Sequence, residues 1–140
     1  MRPPEEVRRH HVRQWWRKAE EDFGVAQHLL AEDTPFLASI GFHAQQAAEK
    51  LLKAILVARQ IEFPKPHDLG ELLDLVAAAE PGLPDSLREI VDLNAYSVMV
   101  RYPGDFPDVT PEEASVAVRI VADVRDVVRE LLRRDLGPDS

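Results

Sequence analysis

The chain of 140 residues contains no cysteine. That excludes disulfide bridges, a thiolate nucleophile, and any zinc or iron–sulfur centre built on sulfur. It fits a reducing compartment, and a cytoplasmic location is the expectation. Glycine is scarce, with six residues, and β-branched runs are short. No glycine-rich phosphate loop, dinucleotide fingerprint or Gly-x-Ser-x-Gly elbow occurs, which removes the commonest nucleotide-cradling and serine-hydrolase motifs. The longest stretch without a charged residue runs from Thr34 to Ala48 and includes His43, Gln45 and Gln46. It is too short and too polar to span a bilayer. The first ten residues hold Glu5 and Glu6 and no apolar core, so they do not read as a signal peptide. Histidines are few and scattered. His10 and His11 are adjacent and diverge by about 100° on a helix. His28, His43 and His67 lie in separate segments, and no Glu-x-x-His pair occurs. Neither a metal nor a cofactor is expected.

Net charge is −8, unevenly spread. Residues 1–18 carry Arg2, Arg8, Arg9, Arg13, Arg17 and Lys18 against two glutamates, while the rest of the chain is strongly acidic. An acidic body argues against broad, sequence-blind nucleic-acid binding and leaves room for a local basic site. Arginine outnumbers lysine 13 to 4, and Asn94 is the sole asparagine, a composition that hints at a hot or high-GC source.

What is abundant is apolar side chains at helical spacing. The pattern predicts an all-α, antiparallel up-and-down bundle of four long helices and one short one, as a single domain with its core at about 15–132. The first helix runs from about Glu5 to Glu32, with Val12, Trp15, Trp16, Ala19, Phe23, Ala26, Leu29 and Leu30 as its stripe. Trp15 and Trp16 cannot share one thin stripe, so one ring either serves a dimer contact or is a partly covered core residue. Thr34-Pro35 predicts a capped restart, and the second helix reaches about Gln60, with Phe36, Ile40, Ala44, Ala47, Leu51, Ile55 and Ala58 inward. Pro64 and Pro66 enforce a stiff connector. Asp68 and Glu71 open a short third helix. The fourth begins at Pro84-Asp85-Ser86, with Glu89 as cap partner, and runs to about Arg101-Tyr102. Thr110-Pro111-Glu112-Glu113 starts a fifth that ends near Asp135.

Three local features carry possible chemistry. His43, Gln46, Lys50 and Lys53 fall along one face of the second helix and could bind a phosphate and a base edge, or form a solvated face with Gln46–Lys50 and Glu49–Lys53 pairs. Asn94 and Arg101 share a face of the fourth helix. Arg101 either answers the helix dipole or aims a fork at phosphate. His67 sits beside the third helix's cap, where one histidine in a loop ordinarily bonds backbone.

Read together, Ala19-Glu-Glu-Asp-Phe23, Gln45-Gln-Ala-Ala-Glu-Lys-Leu-Leu-Lys-Ala54, Pro66-His-Asp-Leu69, Leu93-Asn94 and Arg101-Tyr-Pro103 resemble the HEPN family, the higher-eukaryote and prokaryote nucleotide-binding domains. The likeness covers Trp15 to Leu132. It implies an antiparallel helical bundle, commonly a homodimer. Small members are often encoded beside a minimal nucleotidyltransferase, and some such pairs act as toxin and antitoxin. Many members are metal-independent ribonucleases marked by an arginine followed, four to six residues on, by a histidine. Here Arg101 matches the arginine, but no histidine follows it in the chain. Tyr102 and Asp105 are poor replacements for an imidazole, a phenol pKa near 10 being far from neutral. The resemblance therefore implies a nucleotide- or RNA-phosphate-binding protein working with a nucleotidyltransferase. Arg101 would hold phosphate, Lys50 and Lys53 would add charge, Asn94, Gln46 and His43 would offer hydrogen bonds, and Tyr102 would stack on a base or be a modification target. Two alternatives stand beside it: a metal-independent RNA endonuclease toxin taking its histidine from elsewhere, such as His43 or His67, and a bundle that only binds other proteins.

Overall fold

Alanine and leucine at helical spacing dictate the long elements, and small side chains set how closely those elements approach. The computed structural model describes residues 4–63, 65, 68–99 and 107–138. Among these, helix α1 spans Pro4–Ala31, α2 Leu37–Ala58, α3 Leu69–Ala79, a 3-10 segment Asp85–Leu93, α4 Asn94–Met99, α5 Pro111–Leu131 and α6 Arg133–Leu136, with no strand. The all-α bundle expected from the sequence is what forms.

Helix α2 is its centre. Thirteen of its 22 residues are buried, including Ile40, Ala44, Ala47, Ala48, Leu51, Leu52, Ile55 and Leu56, so it is enclosed on more than the single stripe that periodicity suggested. α1 packs along it through Val12, Trp16, Ala19, Phe23 and Ala26. The pair is antiparallel: Arg8 meets Ala58, Trp15 meets Lys53, and Asp22 meets His43. α5 also runs against α1, with Arg125 on Glu20, and α6 follows it with Asp135 on Arg8. α3, the 3-10 segment and α4 cover α2 and α5 from the other side.

Several boundaries differ from expectation, each for a local reason. Thr34 does not cap α2. Its hydroxyl accepts the Phe36 N–H at 3.2 Å, and the helix starts at Leu37 with Phe36 as an uncapped N-cap residue. Phe36 is correspondingly 63% exposed rather than core. The expected fourth helix begins as 3-10 turns, and no side chain caps it. Glu89 turns instead to Arg119 of α5, at 2.8 Å. The fifth helix breaks at Leu132 and resumes as α6. The start of α5 is as predicted: Thr110 accepts from Glu113 N–H at 3.1 Å, and the Glu113 carboxylate accepts from Thr110 N–H at 2.9 Å, a complete capping box. Trp16 is core, and Trp15 is partly covered, edge-on to Phe63 with ring centroids 6.4 Å apart.

Gly41 fixes the seat of α4 on α2. A Cβ there would stand 2.6 Å from Tyr96 Cγ. Gly24, exposed in mid-α1, meets nothing within 4 Å. The two glycines should respond oppositely to alanine. Gly41→Ala should destabilise by about 1–3 kcal/mol through overpacking. Gly24→Ala should stabilise by about 0.5–1 kcal/mol through backbone entropy. Thermal unfolding of both variants checks this, and equal shifts would contradict the packing described.

Candidate functional site

Asp22 lies on α1 between the core residues Ala19, Phe23 and Ala26, so its carboxylate is half-turned toward α2. There it meets two of the residues picked out from the sequence. His43 Nδ1 stands 2.9 Å from Asp22 Oδ1, and Lys50 Nζ donates to Asp22 Oδ2. His43 and Lys50 are seven residues apart, hence on one face of α2, and one carboxylate bridges them. The carboxylate is 14% exposed, the imidazole 31% and the Lys50 side chain 23%, so the histidine and lysine side chains are partly open to solvent. With Nδ1 engaged, Nε2 is the ring nitrogen left without a hydrogen bond among the described residues. The carboxylate on Nδ1 holds the ring in one orientation. Asp22 was absent from the residues chosen on sequence grounds. Its helical register, three residues after Ala19 and four before Ala26, was the available signal of a half-buried acid.

The other sequence-selected residues separate from this cluster. Lys53 is buried, 7% exposed, with its ammonium 5.2 Å from the Trp15 ring centroid and 5.4 Å from that of Phe63, and bonded to Glu49 at 3.0 Å. An ammonium over two ring faces is held by their quadrupoles, and the lysine stem packs as an apolar chain. Gln46 donates to Gln45 at 2.7 Å rather than pairing with Lys50. Asn94 Oδ1 accepts the Leu69 N–H at 2.9 Å, so it satisfies one of the orphan donors at the start of α3, beside Asp68, which takes the Glu71 N–H at 2.8 Å. Arg101, Tyr102, His67 and Asp105 lie outside the described residues.

A second ionic tie joins α1 to α5. Arg125 binds Glu20 through both Nε and Nη2, with its guanidinium 5.6 Å from the Trp16 centroid and 5.4 Å from that of Phe23. The hydrogen bond to Glu20 raises the Arg125 pKa, leaving this charge permanent. Against α5, Tyr96 sits in an acidic cleft of about 340 Å³ with Asp92, Glu112 and Glu113. Burial, then Glu113 and Asp92, push its phenol above the ordinary value. Among the described residues no three His, Asp or Glu side chains converge as a metal site, and no helix is long and apolar enough to cross a membrane.

Two outcomes follow. Asn94→Ala should cost about 1–2 kcal/mol by orphaning a helix-terminal N–H, whereas Asn94→Asp, which keeps the acceptor, should lie close to wild type in chemical denaturation. A Tyr96 pKa higher in the folded than in the unfolded chain means that the folded state resists deprotonation. Stability is then unaffected below pH about 10 and falls as pH rises beyond it. Tyr96→Phe should remove that alkaline slope in unfolding followed from pH 8 to 11.

The comparisons with known proteins agree with this architecture. A protein of Methanocaldococcus jannaschii named as a candidate toxin is 28% identical over 137 aligned positions, covering 86% of this chain and 88% of the relative. No solved structure gives a significant match. The family model of the HEPN domain matches residues 12–131, from the first core valine of α1 to the end of α5, and the chain therefore belongs to the HEPN family.

Proposed function

We propose that this HEPN protein is the toxin-like member of a two-protein module, binding nucleotide or RNA phosphate and working as a homodimer with a separately encoded nucleotidyltransferase. The observation that carries the binding reading is the Asp22 cluster: a partly exposed histidine and lysine presented side by side on α2 and held by one carboxylate from α1. Within it the formal charges of Asp22 and Lys50 cancel. Lys50 and His43 therefore supply directed hydrogen bonds, and net attraction for phosphate falls to Arg101, with Tyr102 as the ring on which a base would stack. Lys53, Gln46 and Asn94 take supporting rather than ligand-touching parts, since each is committed to a protein partner. The relative named as a candidate toxin supports the toxin-like reading.

A second reading draws on the Asp22–His43 contact. An imidazole oriented through Nδ1 and partly open to solvent is the group that metal-free RNA cleavage needs for proton transfer from a ribose 2′-hydroxyl. It would serve in place of the histidine that the family's motif carries after Arg101 and this sequence lacks.

Calorimetric titration with ATP and with a short RNA, on wild type, Arg101→Ala and Lys50→Ala, tests the first reading. A loss of about tenfold or more in Arg101→Ala with an unchanged melting curve is expected, in line with one charge-assisted phosphate contact. Absence of binding to either probe by the wild type sinks it. Cleavage of RNA in excess chelator, abolished in His43→Ala, would turn the conclusion toward the ribonuclease.

A further inference from the structure

Arg8 and Arg9 of the basic N-terminal segment lie far from the Asp22 cluster. Arg8 and Asp22 are fourteen residues apart on α1, about 21 Å along the axis. At that far end, where the start of α1 meets the ends of α2 and α5, five arginines line a cleft of about 510 Å³: Arg8, Arg9, Arg59, Arg133 and Arg134. Three acids share it, Glu5, Glu130 and Asp135, and Glu80 beside it holds Arg59, which leaves five arginines against four acids among the described residues, in a chain of net charge −8.

Part of this charge is structural. Arg8 donates to the Ala58 carbonyl at 3.1 Å and to Asp135 at 2.8 Å, and Arg13, nearby, donates to the Asp135 carbonyl at 2.8 Å. Those bonds satisfy helix-terminal carbonyls. They do not use up the arginines. Asp135 is the one buried acid, and Arg8 and Arg9 both lean on it, Arg9 only at 3.5 Å. Arg9 Nε is buried and makes no hydrogen bond, with only the 3.5 Å ion pair to Asp135, while its other end reaches Glu5 at 3.4 Å. Arg59 is taken by Glu80 and Arg133 by Glu130, and Arg134 is exposed with no ion pair among the described residues. The cleft thus holds more N–H donors than its own carboxylates accept.

We infer that this arginine cleft is a second anion site, distinct from the Asp22 cluster, that takes phosphate groups and reads no base. Arginine forks match phosphate oxygens two at a time. Among the described residues no aromatic side chain lines the cleft, so none of them there stacks a base. Of these only Ala58 and Leu131 are apolar, too little to serve as the dry core of a protein interface. The ligand is therefore a phosphodiester backbone or a free polyphosphate, bound without sequence preference. On an acidic molecule such a patch also orients an approaching polyanion toward this end. The inference extends the phosphate-binding reading without depending on the Asp22 cluster.

Fluorescence anisotropy with a labelled single-stranded RNA, and competition by inorganic tripolyphosphate, separate the two sources. Arg133→Ala/Arg134→Ala is the test variant, because both side chains are exposed and neither holds a helix end. RNA affinity should fall roughly tenfold, and the slope of log affinity against log salt should shrink by about 1.4, two single-strand phosphate contacts. Competition by tripolyphosphate assigns the cleft to phosphate in either form, and its failure assigns it to the backbone alone. Lys50→Ala serves as comparator. Loss in Lys50→Ala with wild-type behaviour in the arginine pair overturns the second site and leaves the first reading standing. Loss in the arginine pair alone does the reverse. Wild type that binds neither probe, or an Arg134→Glu variant that binds as wild type does, also overturns it.

Discussion

The close approach of helices around α2 is the constraint on which everything else depends. Ala44, Ala47, Ala48 and Ala54 are fully buried on it, and Ala19 and Ala26 face it from α1. Small residues on both sides bring backbones near enough for short polar side chains to bridge from one helix to the next. Asp22 reaches both His43 and Lys50 for that reason. A larger residue at Ala19 or Ala26 would press on α2 and strain the bridge. The same closeness explains Lys53. A buried ammonium is costly unless paired and packed, and here Glu49 supplies the charge while Trp15 and Phe63 supply ring faces.

Much of this was legible in the sequence because it is local. The core faces of α1, α2 and α5 follow from periodicity, and the Thr110 box from four adjacent residues. What was not legible is tertiary. Asn94 reads as a polar residue on a helix face, yet its partner is the Leu69 N–H across a loop. Glu89 reads as a local cap and instead crosses to Arg119. Lys53 shares a helical face with His43 and Lys50, but a face is only a direction, and Trp15 closes that stretch of it. Asp22 was visible as part of a motif, while its two partners come from another helix. The expected fourth helix fails locally at Asp85–Leu93 because no side chain holds its first turn, and 3-10 turns follow.

Charge is sorted by position in this fold. Acids crowd around Tyr96 and line the start of α5, where the helix dipole welcomes them. Arginines collect where α2 and α5 end, and turn inward onto carbonyl oxygens. Arginine outnumbers lysine accordingly, because a planar fork can bond a carbonyl and a carboxylate together, as Arg8 does with Ala58 and Asp135, whereas an ammonium is a single point. The two lysines of α2 fill the places where a single point suffices.

The Asp135 bonds to Arg8 and Arg13 join residues more than 120 positions apart in the chain. During synthesis the first helix must wait for almost the entire sequence to leave the ribosome before its arginines find their partner. Until then α1 has only α2 to lie against, and the end of the molecule richest in positive charge stays open. The arginine cleft therefore belongs to the assembled bundle and not to α1 and α2 alone.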